Sequence, residues 1–238
     1  MPFTTRRDCL RWTLLTALTL GAAVPSWAWE AIERGEGREG IRTWVRAVPG
    51  QAVKQFRGET EVPYSVLAVL ALLADVPGMK HWVFQCEAAS SPKGLPADRM
   101  HLQFKGLWPA DPRDVLISTR ITQTPDGLVH VRSQAVDGLP VDPKRVRMPM
   151  LSNTFKLTPL HGEWTRIEFQ TQVDLGGQVP TWLANLVSTR APLVTLQGIK
   201  TRLPEPAYQV RTLQELPMHL YDGPPPVVPA GHLKSGSP

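Results

Sequence analysis

The fold is decided by the stretch DLGGQVPTWLAN at residues 174–185. Before it, apolar and polar residues alternate over 165–173, which is the period of a strand with one wet face. After it, an apolar stripe near helical spacing predicts one long helix over Pro180–Leu203, and proline is favoured in a first helical turn. Gly176 and Gly177 permit the tight turn between them. The stretch therefore joins the last strand of a sheet to a C-terminal helix.

More strand patterns precede this junction. Apolar residues alternate over 115–121 and 129–133 around the turn signal PDG at 125–127. A second pair, 153–157 and 165–173, is joined through residues 159–163. Consecutive hairpins of this kind predict a mainly antiparallel sheet with one wet face, and hence an α+β fold.

Two further helices are predicted ahead of the hairpins. The first is a short helix over 29–48, where apolar residues stand among charges, and residues 51–62 follow as one or two strands. The second helix starts at Tyr64 after Pro63 and is apolar on most sides, so it must be largely buried. It ends at the proline and glycine of 75–78.

Both termini differ in composition from this central part. Residues 1–28 combine Arg6 and Arg7, an apolar run and a small-x-small ending, which predicts a signal peptide and a periplasmic location. The arginine pair resembles the twin-arginine export signal. An ordinary secretion signal and an uncleaved anchor are the alternatives. Residues 204–238 are rich in proline and predict an extended or disordered tail, which leaves one domain over 29–203.

Charge and cysteine content narrow the function classes. Of 26 basic and 21 acidic residues, three arginines and one aspartate lie in residues 1–28, which leaves a net charge of +3. This mild excess can help at an anionic membrane surface but does not indicate nucleic-acid binding, which favours clustered basic stripes. Cys86 is the single cysteine after residue 28, so we expect a small buried residue and no internal disulfide. We expect a monomer without a metal or other cofactor.

Three motifs carry a resemblance to a known family. In chain order they are ADVPGMKHW at 74–82, WPADPRD at 108–114 and DLGGQVPTWLAN at 174–185. Their order and spacing are similar to those of the START domains, the steroidogenic-acute-regulatory-related lipid transfer domains, over residues 45–203. With its predicted signal peptide, the chain resembles an exported bacterial member.

The resemblance implies a helix-grip fold. In such a fold a curved antiparallel sheet wraps around a long C-terminal helix and encloses a tunnel for one lipid-sized molecule. Pockets of this kind are mostly apolar with a few polar anchors. The residues expected to line the tunnel are Ile117, Thr119, Ile121, Val131, Phe155, Ile167, Phe169, Thr171, Leu183, Leu186 and Val187.

The motif residues themselves are expected to be structural. Arg113 and Asp114 are predicted to supply an ion pair and cap that fix the turn between loop and strand. Gly176 and Gly177 make the turn before the helix that Pro180 opens. For Trp182 three roles stay open, namely ligand contact, packing anchor and membrane-facing residue, because amphipathic tryptophans serve all three.

One position departs from the family pattern. Several lipid-binding relatives place a charged residue near the position of Thr119 and pair it with an acid, whose position falls near Met100 here. A buried charge pair is therefore not expected, which puts a carried-over ligand identity in doubt. The expectation is an apolar tunnel with hydroxyl anchors at Thr119, Ser133 and Thr171.

Non-covalent binding and transfer of a lipid or other hydrophobic molecule is the predicted function, with transient membrane contact. A cavity enzyme of cyclase or hydrolase type is one alternative, with His81 or His101 as candidate bases. A catalytic histidine would have to point into the tunnel within hydrogen-bond reach of a second polar group. A periplasmic interaction protein that uses the tail is the other alternative.

Overall fold

The computed structural model describes residues 28–210, 212 and 216. The predicted signal peptide thus lies outside the described residues except for Ala28, as does most of the predicted tail. The strands are β1 Glu30–Arg34, β2 Arg42–Arg46, β3 Gln55–Val62, β4 Cys86–Ser90, β5 Arg99–Phe104, β6 Arg113–Gln123, β7 Val129–Ala135, β8 Val146–Arg147, β9 Met150–Leu160 and β10 Trp164–Asp174. The helices are α1 Val66–Ala74 and α2 Thr181–Arg202.

The ten strands of the described residues belong to one sheet. Their order is β1-β2-β3-β10-β9-β7-β6-β5-β4, with antiparallel neighbours throughout, and the short β8 pairs in parallel with β6. The curved sheet wraps around α2, so the predicted α+β helix-grip architecture is confirmed. Both predicted hairpins are present, as β6–β7 and β9–β10.

Helix α1 is almost wholly buried, as predicted from its apolar sequence. Seven of its nine residues are buried. The side chain of Ser65 accepts a hydrogen bond from the backbone N–H of Ala68 and so caps the first turn. At the other end, Asp75 accepts from the backbone N–H of Gly78, where a 3₁₀ turn begins.

Helix α2 packs on β2 and β3, and two glycines allow the close approach. A Cβ on Gly58 of β3 would lie 2.7 Å from Cδ1 of Leu196 on the helix. A Cβ on Gly198 would lie 2.7–2.9 Å from backbone and Cβ atoms of Trp82. Among the described residues, no helix is long and apolar enough to cross a membrane.

The short helix predicted over 29–48 is wrong, because this segment forms the hairpin β1–β2. Thr43 and Val45 are buried while their neighbours in β2 are partly exposed, which is a strand period that the surrounding charges masked. The glycines at 35, 37 and 40 lie in the turn between the strands. Pairing of β2 with β3 then decides the conformation, since tertiary context overrides weak local preference.

The first residues of the predicted tail contact the domain. Residues Pro206–Tyr208 form a 3₁₀ turn beside α1, and Tyr208 is buried. Its hydroxyl donates a hydrogen bond of 2.7 Å to the carboxylate of Asp75. Beyond Val210, only residues 212 and 216 are described, so the extended or disordered tail stays a prediction there.

Candidate functional site

A cavity lies between the inner face of the sheet and helix α2. Its volume is about 170 Å³, more than ten times the ~10–15 Å³ that one water molecule needs. The lining comes from α1, the segment 79–85, the inner faces of β5, β6, β7, β9 and β10, and one side of α2. The space is therefore suited to an organic molecule and not to isolated waters.

Nine of the eleven residues predicted to line this space do so. They are Ile117, Thr119, Ile121, Val131, Phe155, Phe169, Thr171, Leu183 and Val187. Ile167 does not line the cavity. It is fully buried in register with Thr60 and Leu157, in a closed layer of core beyond the cavity floor.

Leu186 also lies outside the cavity. The lining residues of α2 are Leu183, Val187, Ala191 and Thr195, which follow one another at intervals of four and so share a helix face. Leu186 is rotated away from this stripe and is partly exposed. The sequence predicted an apolar stripe correctly but made it one residue too wide.

A row of polar side chains crosses the cavity wall on four adjacent strands. Thr119, Ser133, Asn153 and Thr171 are in register on β6, β7, β9 and β10, and we call them the polar row. The hydroxyls of Thr119 and Ser133 are 2.8 Å apart, and Thr171 donates to Asn153 over 3.1 Å. The three predicted hydroxyl anchors thus face the cavity, and each already has a protein partner.

Aromatic rings form the next layer inward. Phe155 and Phe169 stack with ring centroids 4.6 Å apart, and Trp82 meets Phe155 edge-to-face at 6.3 Å. The indole N–H of Trp82 is buried and has no hydrogen-bond partner among the described residues. The inner end of the cavity therefore offers aromatic surface and one free donor.

Thr119 and Met100 meet as the departure from the family pattern predicts. The hydroxyl of Thr119 lies 3.8 Å from the sulfur of Met100, and both residues line the cavity. No carboxylate is found among the described lining residues. The cavity wall at this level is neutral.

Arg113 and Asp114 take opposite faces of β6. Asp114 points away from the cavity, where it accepts two hydrogen bonds of 2.9 Å from Arg147 and lies 2.8 Å from Nε2 of His101. Burial opposes its ionisation, but Arg147 and His101 outweigh that cost and lower the pKa of Asp114. The structural role predicted for Asp114 matches this geometry.

Arg113 does not share that role. It is 6% exposed, lines the cavity and donates through one Nη to the backbone carbonyl of Asp111. Its Nε is buried and has no partner in the described part of the chain. The predicted ion pair is not found for Arg113 in the described part of the chain, because strand alternation turns it inward, away from the acids of the outer face, whereas its bond to the Asp111 carbonyl fits the predicted cap of the turn.

The remaining motif residues occupy the turn into α2. Gly176 and Gly177 have φ values of +65° and +62°, in the left-handed region that glycine tolerates. Pro180 precedes the first helical residue, and its carbonyl accepts hydrogen bonds from the N–H groups of Leu183 and Ala184. Trp182 is 49% exposed and does not line the cavity, and its three possible roles stay a prediction.

Two exposed tryptophans flank one end of the cavity. Trp108 lies at the tip of the turn before β6 and is 90% exposed, while Trp182 lies in the first turn of α2. Their chain neighbours Leu107 and Leu183 both line the cavity. Because β10 runs antiparallel to β6, the start of β6 and the end of β10 lie at the same end of the sheet, measured along the strands.

Neither histidine of the enzyme alternative lines the cavity. His81 is exposed, and His101 is turned to the outer face beside Asp114. Cys86 is buried as predicted, and burial raises the pKa of its thiol to about 11, which keeps it unreactive near neutral pH. The described residues contain no cluster of side chains suited to a metal ion.

Sequence reasoning missed more than half of the lining. The omitted residues include Met79, Trp82, Phe84, Gln85, Met100, Leu102, Phe104, Lys105, Met148 and Leu175. For β5 a signal was available, since Met100, Leu102 and Phe104 alternate with polar residues. The segments 79–85 and 146–149 carry no comparable period.

Comparisons with known proteins agree with this architecture. The family model of the START domain matches residues 11–203. An uncharacterized protein of Pseudomonas aeruginosa is 31% identical over 198 residues, which cover 82% of this chain and 97% of that protein.

Solved structures give the same result. A fragment of the STAR-related lipid transfer protein from Xanthomonas axonopodis is 28% identical with a TM-score of 0.66, and the match covers 74% of this chain and 99% of the fragment. Human StAR-related lipid transfer protein 5 is 16% identical with a TM-score of 0.62, over 74% of this chain and 86% of that one, and shows a likeness of fold alone.

Proposed function

The chain belongs to the START domain family, and from this premise we propose that it binds one lipid or other hydrophobic molecule without chemical change and transfers it between membranes. The observation that carries the proposal is the largely apolar cavity between the sheet and α2. Removing apolar ligand surface from water contributes about 25 cal/mol per Å², which drives uptake without any covalent step.

Exchange of the ligand requires the cavity to open. The end of the sheet at which Trp108 and Trp182 lie is our candidate entrance. Tryptophan suits a membrane interface because it has an apolar body and a polar N–H. Gly176 and Gly177 provide a flexible connection before α2. We propose that α2 or the loop before β6 moves at a membrane surface, and that this occurs in the periplasm.

Native mass spectrometry of the protein purified with its bound molecules tests the binding proposal. We expect a population carrying one hydrophobic molecule. In Val187→Phe the larger side chain should occupy the cavity and so abolish the bound population. Leu186→Phe, one position away and outside the cavity, should leave the bound population intact. A protein that carries no such molecule and takes none from vesicles would overturn the proposal.

Vesicle experiments test the entrance. We expect Trp108→Ala to slow transfer of bound ligand into lipid vesicles while the bound fraction at equilibrium stays the same. Val194→Ala removes an exposed apolar side chain from α2, about three helical turns beyond Trp182, and serves as the control. Equal transfer rates for the wild type and Trp108→Ala would show that membrane contact is made by another surface.

A further inference from the structure

We propose that the cavity selects an amphiphile with an anionic head, a carboxylate or a phosphate, and that Arg113 binds this head. The inference rests on the proposed function and names the ligand class for the same cavity. Its basis is a buried cation that faces the cavity and forms no ion pair with any described residue.

The hydrogen bonds of Arg113 leave part of its guanidinium unsatisfied. One Nη donates to the neutral backbone carbonyl of Asp111, and the buried Nε donates to no described residue. Burial lowers the pKa of Arg113, and the exposed Asp111 carboxylate acts in the opposite direction. Arginine nevertheless stays protonated in proteins.

The neighbouring strands supply no counter-charge to Arg113, and the exposed Asp111 carboxylate that acts on it forms no ion pair with it. On the neighbouring strands its partners in register are Phe104 and Val146, both apolar. Lys105, the other charged lining residue, is a cation at the exposed margin with no ion pair among the described residues. The nearest acid along the strand, Asp114, is held on the opposite face by Arg147.

A buried charge without a partner is costly, and an anionic oxygen from a ligand would remove that cost. A guanidinium binds carboxylate and phosphate oxygens through charge-assisted hydrogen bonds. The indole N–H of Trp82 is the other unpartnered group of the cavity in the described chain, and it is also a donor. Both unsatisfied groups therefore require acceptor oxygens.

The proposed binding site for the anionic head, at Arg113, lies far along β6 from the polar row. Arg113 precedes Thr119 by six residues, which corresponds to about 20 Å of strand. Between these levels the cavity is lined by apolar side chains such as Leu102, Ile117 and Leu151. An apolar chain attached to a head at Arg113 would thus lie on apolar surface and end near the polar row or the aromatic rings.

Binding of oleate and of its neutral methyl ester tests the inference. Each is presented from cyclodextrin to the full chain stripped of co-purified molecules, so that no charged membrane surface contributes. We expect oleate to bind at least about tenfold more tightly, the size expected for a hydrogen bond to a charged group. Dioleoyl phosphatidate against dioleoylglycerol, which lacks the phosphate, shows in the same way whether phosphate heads are also selected.

Variants of β6 then assign the preference. Arg113→Met should abolish the preference for oleate and retain binding of methyl oleate, while Arg113→Lys should keep part of it. Arg120→Met removes an exposed cation of the same strand that does not line the cavity, and it should leave the preference unchanged.

The outcomes separate the two proposals. Equal affinity of the wild type for oleate and methyl oleate, together with equal affinity for phosphatidate and dioleoylglycerol, overturns the anionic head and leaves hydrophobic binding intact. An undiminished preference in Arg113→Met overturns the role of Arg113. Binding of none of the four probes contradicts the proposed function itself. If Arg113→Met does not fold, the wild-type comparison still decides whether an anion is selected.

Discussion

Arg113 and Asp114 are neighbours in the chain, yet they occupy two different environments. On the outer face, the Asp114 carboxylate has three polar contacts at 2.8–2.9 Å, from Arg147 and His101. On the inner face, the Arg113 guanidinium has one neutral carbonyl and an unpartnered Nε. The outer charge thus has its partners within the chain, whereas the inner charge is the one for which we propose a partner from a ligand.

On the outer face, the arginine that binds Asp114 is itself held by further hydrogen bonds. Arg147 donates to the backbone carbonyls of Leu139 and Pro140 besides binding Asp114. The segment 136–149 is thereby attached to β6 along its outer side. Asp114 therefore holds this segment on β6 through Arg147, while Arg113 keeps an unused donor for the proposed ligand.

The largest expected effect is the loss of stability in Asp114→Asn. This change leaves the Arg147 charge without its carboxylate in a buried network, and breaking such a pair costs about 3–5 kcal/mol. Urea denaturation followed by circular dichroism measures the free energy of unfolding. Asp142→Asn, which alters an exposed contact of 3.7 Å with Arg145, should cost less than about 1 kcal/mol. Similar losses in both variants would contradict the special role of Asp114.

The same network predicts a dependence on pH. Because the folded state lowers the pKa of Asp114, the stabilisation is fully present above the ordinary aspartate pKa of about 3.9 and is lost as pH falls through the folded value. The stability difference between wild type and Asp114→Asn should therefore shrink below about pH 4. Unfolding free energies of both proteins measured across this range test the prediction. A difference that stays constant with pH would show that the charge of the Asp114 carboxylate does not stabilise the folded state.

Much of the fold could be predicted from the local periodicity of apolar residues. The alternation in β6, β7, β9 and β10 and the helical stripe of α2 each identify an element and its buried face. The hairpin β1–β2 could not be predicted in this way. Its alternation covers five residues of β2, and charged neighbours and glycines on either side resemble a weak helix.

The candidate site was harder to predict, for a physical reason. Alternation tells which residues face inward but not where the cavity ends along a strand, so Phe169 and Ile167, two residues apart, were both expected to line it. Arg113 was misread because charged pairs in sequence are usually structural pairs. Only the strand register shows that its neighbour is bound by Arg147 and not by Arg113 itself.

A smaller effect is expected from the polar row. Thr119→Val leaves the buried hydroxyl of Ser133 without its partner at 2.8 Å, which costs about 1–3 kcal/mol. The double variant Thr119→Val with Ser133→Ala removes both hydroxyls and should recover part of that loss. Urea denaturation of the wild type, Thr119→Val, Ser133→Ala and the double variant gives the coupling energy of the pair. Strictly additive losses would show that the two hydroxyls do not interact.

Arg113→Met should have the smallest effect on stability, and it completes the comparison with Asp114. Methionine keeps much of the volume and removes a buried charge, a replacement that is often neutral or stabilising. We expect the free energy of unfolding of the ligand-free protein to change by less than about 1 kcal/mol, since one hydrogen bond to a backbone carbonyl is lost.

Arg147→Met is the matched control for this prediction, because it removes the arginine that does bind Asp114 and should destabilise strongly. A loss in Arg113→Met as large as in Arg147→Met would place Arg113 among the structural charges after all. A small change, together with a lost preference for anionic ligand, would mean that two adjacent residues of one motif divide their tasks. The alternation of a single strand then separates the charge that stabilises the fold from the charge that binds the ligand.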